Sequence, residues 1–572
     1  MIFARRAFAG FSPGRGSPAE MAGQRGPLVY VHCSTEAVPR IDAMTPTKPH
    51  PTSPVRNPSR RSLLLGAAAT GMAAGLPLGL PRAAHAAPKR GGTFRVGVHD
   101  GSSTDTWDPA TTESILMIHA NHVARAYLTE ITNTNELGPD LATSWEATRD
   151  DATEWRFELA TNAHFHDGRK VTAADVVASM NYHRGESSPS AAKSLMEGMT
   201  DITADGDHAV IFSLDRGNAD LPYMMADYHF AIQPATPEGG IEWKDGMGCG
   251  PYKPTEFQPG IRVDFVRHDG WHRADSGAWF DAVKMTVLND PNARQAAIVT
   301  GDVDAVTDVD LKTAGRLAQA PGVILDDVPS GTHITMPMMC DVAPFDDVNV
   351  RLAFKHAIGR QEIVDKILFG YGTVGNDQPI ASSMPYFADL PQRTQDLDKA
   401  RYHLKKAGHD NLSVELSVND VILPGAVNMC SLFAEQARPA GLDIKVKQEP
   451  VDAYWSSVWL KKPFCVVSWT ARPTPDIMFS QAYKAGADWN ESHWENERFN
   501  ELLLKAKSET NDELRAEMYA EMQLLCRDDG GTIVPFFRNR TSARRDNVMH
   551  EDSIAAVWEL DGARGYHRWW FA

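Results

Sequence analysis

Short alternating strands and amphipathic helices take turns from about residue 92 to residue 537, and that rhythm leaves few architectures open. Gly92-Thr93-Phe94-Arg95-Val96-Gly97-Val98 has the two-residue period of a strand, as do Trp155-Arg156-Phe157-Glu158-Leu159 and Ala209-Val210-Ile211-Phe212-Ser213-Leu214. Gly250-Pro251-Tyr252 is a turn leading into a strand over 261–266. Thr172-Ala173-Ala174-Asp175 predicts a capped helix running to Tyr182, with Thr172 accepting from first-turn amides and Asp175 at the favourable end of the dipole. Pro291 opens a helix over 291–299, and Gly301 closes it ahead of a strand reaching Val306. The strongest helical spacing covers 348–369, where Val350, Phe354, Ala357, Ile358, Ile363, Ile367 and Leu368 recur every three or four residues. Helices are expected over 400–406 (ended by Gly408), 429–438, 500–507 and 512–526, and strands over 412–418, 444–446 and 533–537. Such alternation predicts an α/β protein whose sheets are covered by helices.

The start of the chain has a different character. Ser59-Arg60-Arg61-Ser62-Leu63-Leu64-Leu65 places two adjacent arginines before an apolar run that ends at Ala84-His85-Ala86. This is the layout of a twin-arginine export signal over 59–86, with small residues where a signal peptidase cuts. It implies a bacterial protein, recognition by the twin-arginine export machinery, and a mature chain in the periplasm. The other reading, an uncleaved anchor, is weakened by the Ala and Gly content of 63–80 and by Pro77. No cysteine follows the run to serve as a lipoprotein cleavage site. Residues 1–58, rich in Pro, Arg, Gly and Ser, read as a disordered leader or as a start placed too early, with Met21 or Met44 as the alternatives.

A mature chain from about Ala87 to Ala572 is too long for one core and predicts two or three domains. Setting aside the 10 of 57 basic and 3 of 74 acidic residues that lie within 1–86 leaves 47 and 71, a net charge of −24. That field excludes nucleic acid and anionic lipid as partners and makes any anion site depend on a local basic group. Five cysteines remain, Cys249, Cys340, Cys430, Cys465 and Cys526, with no CxxC pair. They read as buried apolar thiols, with one bridge still open in an oxidising compartment. His164 and His166 share one face of a strand but lack an acidic or thiol partner at ligand spacing, so no metal is expected. From Ala87 onward the chain contains no G-x-S-x-G, CxxCH, G-x-x-x-x-G-K or HExxH, so no enzyme activity and no cofactor is expected.

A set of ordered motifs carries a family resemblance. Pro344-Phe345-Asp346-Asp347, Val350-Arg351-Leu352-Ala353-Phe354, His356-Ala357-Ile358-Gly359-Arg360 and Ile363-Val364 resemble the signature of the extracytoplasmic solute-binding proteins of family 5, the peptide- and nickel-type receptors of ABC importers. Phe165-His166-Asp167-Gly168, Thr172-Ala173-Ala174-Asp175-Val176-Val177, Gly250-Pro251-Tyr252, Gly301-Asp302-Val303-Asp304, and Trp469 with Pro475-Asp476 agree in order and spacing from about Gly91 to the C-terminus. The resemblance implies a two-lobed periplasmic binding protein, a type II Venus flytrap. One lobe would comprise 90–130, 248–332 and 533–572, with an inserted subdomain over 131–247; the other would comprise 333–532. It implies a receptor, not an enzyme, that closes on a small organic solute such as a short peptide or an amino-acid conjugate and delivers it to the permease subunits of an ABC transporter. A monomer is expected. The alternatives are a twin-arginine-exported enzyme and a metal-chelate or haem receptor of the same fold.

In dipeptide-binding members of that family, an Asp three residues after the Trp matching Trp469 holds the peptide ammonium; this chain has Arg472 there. A guanidinium grips a carboxylate through two parallel hydrogen bonds, so the departure points to a carboxylate on the solute. A gapped placement puts Asp420 near the position where those members have an Arg for the ligand carboxylate, which would invert the charge pair. The structural readings stay open: Arg472 in a salt bridge, with Asp476 as a partner, and Asp420 in a solvated loop. Among the dense aromatics of this chain, Trp469, Trp489 and Trp107 are the candidates for flat pocket walls.

Overall fold

The longest strand of the computed structural model, Val323–Pro337, was not evident from local pattern, and it organises much of the molecule. The structure describes residues 88–451 and 454–572, so the leader and export signal lie outside the described residues. The described residues all fall within one compact unit. Val323–Pro337 pairs antiparallel with Phe536–Arg545, and the register shifts between Val328 and Thr332. One end of this ribbon places Val323 and Ala543 in a core with Ile298, Val306 and Leu317. The other end places Ile334, Met336 and Phe536 in a core with Val350, Phe354, Leu416, Met429 and Phe433. The two strands therefore run continuously from one hydrophobic core into another.

The ribbon belongs to a ten-stranded sheet among the described residues. Its order is Val467–Trp469, Val323–Pro337, Phe536–Arg545, Ala305–Val306, Thr93–Val98, Ala282–Val287, Arg262–Arg267 and Tyr252–Gln258, with Gly372–Val374 and Thr532–Ile533 as side pairings. Thr93–Val98 lies parallel to both its neighbours, as an α/β crossover requires. A separate four-stranded antiparallel sheet over Ala142–Ala147, Glu154–Leu159, Ala209–Leu214 and Met199–Ala204 has its own core of Phe157, Phe165, Val176, Met180 and Phe212. A parallel pair, Leu412–Val418 with Leu442–Gln448, completes the second large core.

The capped helix forms at Ala173–Tyr182, and Asp175 carries much of the capping: it accepts from the Thr172 amide and hydroxyl, each at 2.8 Å. Pro291–Thr300 ends at Gly301, whose φ of 81° suits glycine. The single helix expected over 348–369 is two helices, Val348–Ala357 and Arg360–Ile367. The break lies at Ile358 and Gly359, where the Gly359 amide donates to Gln436 at 2.8 Å and a Cβ would meet the Gln436 side chain at 2.7 Å. The apolar stripe continues across the break because both helices face one core, so periodicity alone did not show it. Pro535 likewise divides the strand expected over 533–537, and its second part runs on to Arg545.

The five described cysteines are free thiols, with Cys249, Cys430, Cys465 and Cys526 buried and Cys340 half-buried. His166 is buried against His268, ring centroids 4.9 Å apart. Among the described residues no cluster of three or more His, Cys, Asp or Glu side chains has metal-holding geometry, and no helix is long and apolar enough to cross a membrane.

Candidate ligand-binding site

Strand Val467–Trp469 is held on the long strand Val323–Pro337, with Trp469 opposite His333. The chain then leaves the sheet through Thr470–Thr474 and enters helix Pro475–Ala482. Arg472 stands in that connection, half-buried. Its Nε donates to Gln481 Oε1 at 2.8 Å, and its Nη1 donates to the Thr470 hydroxyl at 2.6 Å and the Thr470 carbonyl at 3.2 Å. The guanidinium stacks over the Trp469 ring at 5.4 Å. All these partners are neutral, and among the described residues no carboxylate is within ion-pair distance of Arg472. Asp476 does not pair with it: the Asp476 carboxylate is buried and lies 3.8 Å from Lys507 Nζ.

Burial lowers the Arg472 pKa from its usual value, and Tyr228 and Asp227 oppose that shift. These two residues come from a segment more than two hundred positions earlier, yet their charges act on the guanidinium. Tyr228 stacks edge-on against Trp558 at 5.5 Å, and Arg540 covers the Trp558 ring at 5.4 Å while pairing with Glu559 at 2.5 Å. Asp227 is committed to His229, 2.7 Å away. No local pattern marked these two residues, because a Tyr beside an Asp in a loop has no distinguishing feature.

Three indoles form a contiguous cluster of edge-on and tilted rings on the Arg472 side. Trp489 lies 5.9 Å from Trp469 and 6.0 Å from Trp459 by ring centroids. Two of the expected site residues, Trp469 and Trp489, are thus brought together with Arg472. Behind the indoles sits Glu491, 5% exposed. Its Oε1 accepts from Trp459 Nε1 at 2.7 Å and its Oε2 accepts from the Thr335 hydroxyl at 2.9 Å. Burial pushes its pKa up to about 7, against the opposing pull of hydrogen bonds from Trp469, Trp459 and Thr335.

The other two candidates sit elsewhere. Trp107 is 4% exposed and packs in the core with Phe257 at 5.3 Å, Phe265 at 6.4 Å and the Arg125 guanidinium at 5.6 Å. Its faces are taken by protein, as tight packing of a large aromatic requires. Asp420 is exposed, and its Oδ1 accepts from the Val427 amide at 2.9 Å, satisfying a free donor in the first turn of helix Ala426–Ala437. It makes no contact with Arg472, and the inverted charge pair is not assembled in this structure.

The pattern of bacterial extracellular solute-binding proteins, family 5 (middle region), matches residues 136–491, more than half of the chain. The chain is 23% identical over 438 residues to the dipeptide-binding protein of Escherichia coli strain K12, covering 70% of this chain and 81% of that one. Among solved structures it is similar to the periplasmic murein tripeptide binding protein MppA in its unliganded open form, with TM-score 0.74, 18% identity, and coverage of 84% of this chain and 97% of the other. It is also similar to the binding protein AgaA from A. tumefacien R10 in complex with agropinic acid, with TM-score 0.64, 20% identity, and coverage of 84% and 99%. The fold is the two-lobed α/β fold of periplasmic binding proteins, with one large sheet threading two cores. The chain belongs to family 5 of the bacterial extracellular solute-binding proteins.

Proposed function

We propose that this protein is the periplasmic receptor of an ABC importer and that its solute is a short peptide or amino-acid conjugate bearing a carboxylate. The observation that carries the reading is Arg472: a guanidinium stacked on Trp469, half-buried, hydrogen-bonded only to neutral groups, and within electrostatic reach of Asp227 and Tyr228. A cation with no carboxylate at ion-pair distance, in a partly desolvated place, favours a ligand that supplies the anion. Trp469 and Trp489 form the aromatic wall beside it. Asp420 and Trp107 act structurally, in a helix cap and a core. The relatives' printed names support this class, since they bind a dipeptide, a murein tripeptide and agropinic acid.

One lobe comprises 90–130, 248–332 and 533–572 with the insert 131–247, the other 333–532, and the Val323–Pro337/Phe536–Arg545 ribbon is the hinge between them. Closure brings Tyr228 onto the Trp469 wall, expels water, and strengthens the charge contact to Arg472. The mature receptor works as a monomer, follows the twin-arginine route to the periplasm, and releases its solute unchanged to the permease. A thermal-shift screen of di- and tripeptides, opines and other amino-acid conjugates tests the class. At least one carboxylate-bearing solute is expected to raise the unfolding midpoint, and mass spectrometry to recover it intact. Conversion of the solute, or midpoint shifts confined to solutes without a carboxylate, would overturn the reading.

A further inference from the structure

Glu491 is anomalous in a way that the capture of a carboxylate does not explain. Its carboxyl is almost fully buried, yet no cationic side chain among the described residues offsets it. An isolated buried carboxylate is costly, and the commonest remedy is an ion pair. Here the remedy is a pair of neutral donors, the Thr335 hydroxyl from the long strand and the Trp459 indole, with the Trp469 side chain close enough to help lower the Glu491 pKa. Trp459 and Trp469 are the outer members of the three-indole cluster, and Trp489 lies between them. Trp469 in turn supports the Arg472 guanidinium.

We infer that Glu491 is a positioning residue: its ionised carboxylate locks Trp459 and Trp469, clamps Trp489 between them, and through Trp469 fixes where Arg472 presents its guanidinium. The inference rests on the reading of this face as the solute site, and it adds how the face is preorganised. An indole N–H can only donate, so each ring needs an acceptor behind it to hold one orientation. A carboxylate offers about four acceptor sites and can serve three donors at once. A protonated carboxyl has fewer acceptor sites and carries a proton that must itself be placed. The ionised form is therefore the one that holds all the rings, and its bonds are the stronger charge-assisted kind.

The surroundings leave Glu491 as the group that titrates near neutrality here. His333, two residues before Thr335 on the same strand, is buried, and burial lowers its pKa to about 4. Cys465 and Tyr483 are the other ionisable groups acting with Glu491, and burial raises both above their usual values, so both are neutral. On its own segment Asp488 is exposed, and His493 is turned to Asp341 at 2.9 Å. Burial raises Glu491 itself to about 7. The lock is thus expected to tighten as pH rises through that value and to loosen below it.

The test uses the full mature protein without any solute, so its outcome is separable from that of the solute screen. The indole N–H resonances are recorded from pH 5 to pH 9 after 15N-tryptophan labelling, with Trp459→Phe and Trp469→Phe identifying the two signals. In the wild type both resonances are expected to shift together with one midpoint near 7. In Glu491→Gln, a neutral isostere, the shift is expected to be lost, and acrylamide quenching of tryptophan emission at pH 8 is expected to exceed that of the wild type. Arg472→Ala is expected to keep the titration, because the lock lies behind Trp469. Circular dichroism confirms that each variant is folded, and Glu491→Leu serves as a second neutral variant should Glu491→Gln fail to fold. Indole resonances that do not move with pH in the wild type, or that keep the same titration in the neutral variant, would overturn the inference. Failure of the solute screen alone would leave the lock standing and remove only its proposed use.

Discussion

Asp377→Asn is expected to lower folding stability by about 3–5 kcal/mol, the cost of removing one partner from a buried charge network. Asp377 is fully buried. Arg360 Nη2 donates to both its oxygens at 2.6 and 2.7 Å, Arg393 Nη1 donates to Oδ2 at 2.5 Å, and the Val534 amide donates to Oδ1 at 3.2 Å. Burial alone would raise its pKa, but Arg360, Arg393 and Lys355 outweigh it and hold the group at about 2. The network is central because it joins distant pieces of chain. Arg360 opens the second half of the broken helix, Arg393 reaches on to Asp528 at 2.8 Å, and Val534 precedes the long ribbon strand. Asparagine keeps the shape, and it tolerates the left-handed backbone at φ 59°, so the substitution isolates the charge. Two guanidinium groups would be left buried with no carboxylate between them. The expected measurement is a lower urea midpoint for the variant at pH 7. The sign with pH is also fixed. A carboxylate whose folded pKa is depressed stabilises above its unfolded value of 3.8, so the wild-type advantage should shrink as pH falls from there toward 2.

Arg472→Ala is expected to weaken binding of a carboxylate-bearing solute by about 30-fold or more, because truncating one side of a desolvated charge pair costs about 2–5 kcal/mol. Folding stability should change little, since the partners left behind, Gln481 and Thr470, are neutral and near solvent. Arg472→Lys should recover only part of the affinity. Lysine restores the charge but not the planar fork or the stacking on Trp469. Calorimetric titration of the three proteins separates charge from geometry. Equal affinities in all three would show that the guanidinium does not touch the solute.

Much of the architecture was legible in the chain because it is written locally. The strand over Thr93–Val98, the capped helix at Ala173–Tyr182 and the proline-opened helix at Pro291–Thr300 all follow from nearest neighbours and short periods. What was not legible depends on distant partners. The helix break at Gly359 is made by Gln436, and the ribbon strand Val323–Pro337 mixes polar and apolar residues because it passes from one core to another. The site divides in the same way. Arg472 stood out through the family resemblance and Trp469 and Trp489 as aromatic side chains, and the three lie together. Glu491 did not stand out, since a glutamate in a polar loop reads as solvated until Thr335, 156 positions away, closes over it. Asp420 and Trp107 carried attractive chemistry that local packing had already used, in a helix cap and in an aromatic core.

The central claim is that Arg472 receives a carboxylate carried by the solute. Its most direct test is a calorimetric comparison, on the unaltered protein, of a solute identified by thermal shift and the methyl ester of that same solute. Esterification removes the charge and little else. Tight binding of the acid with loss of binding by the ester is the predicted result, and equal affinity for acid and ester would contradict the account.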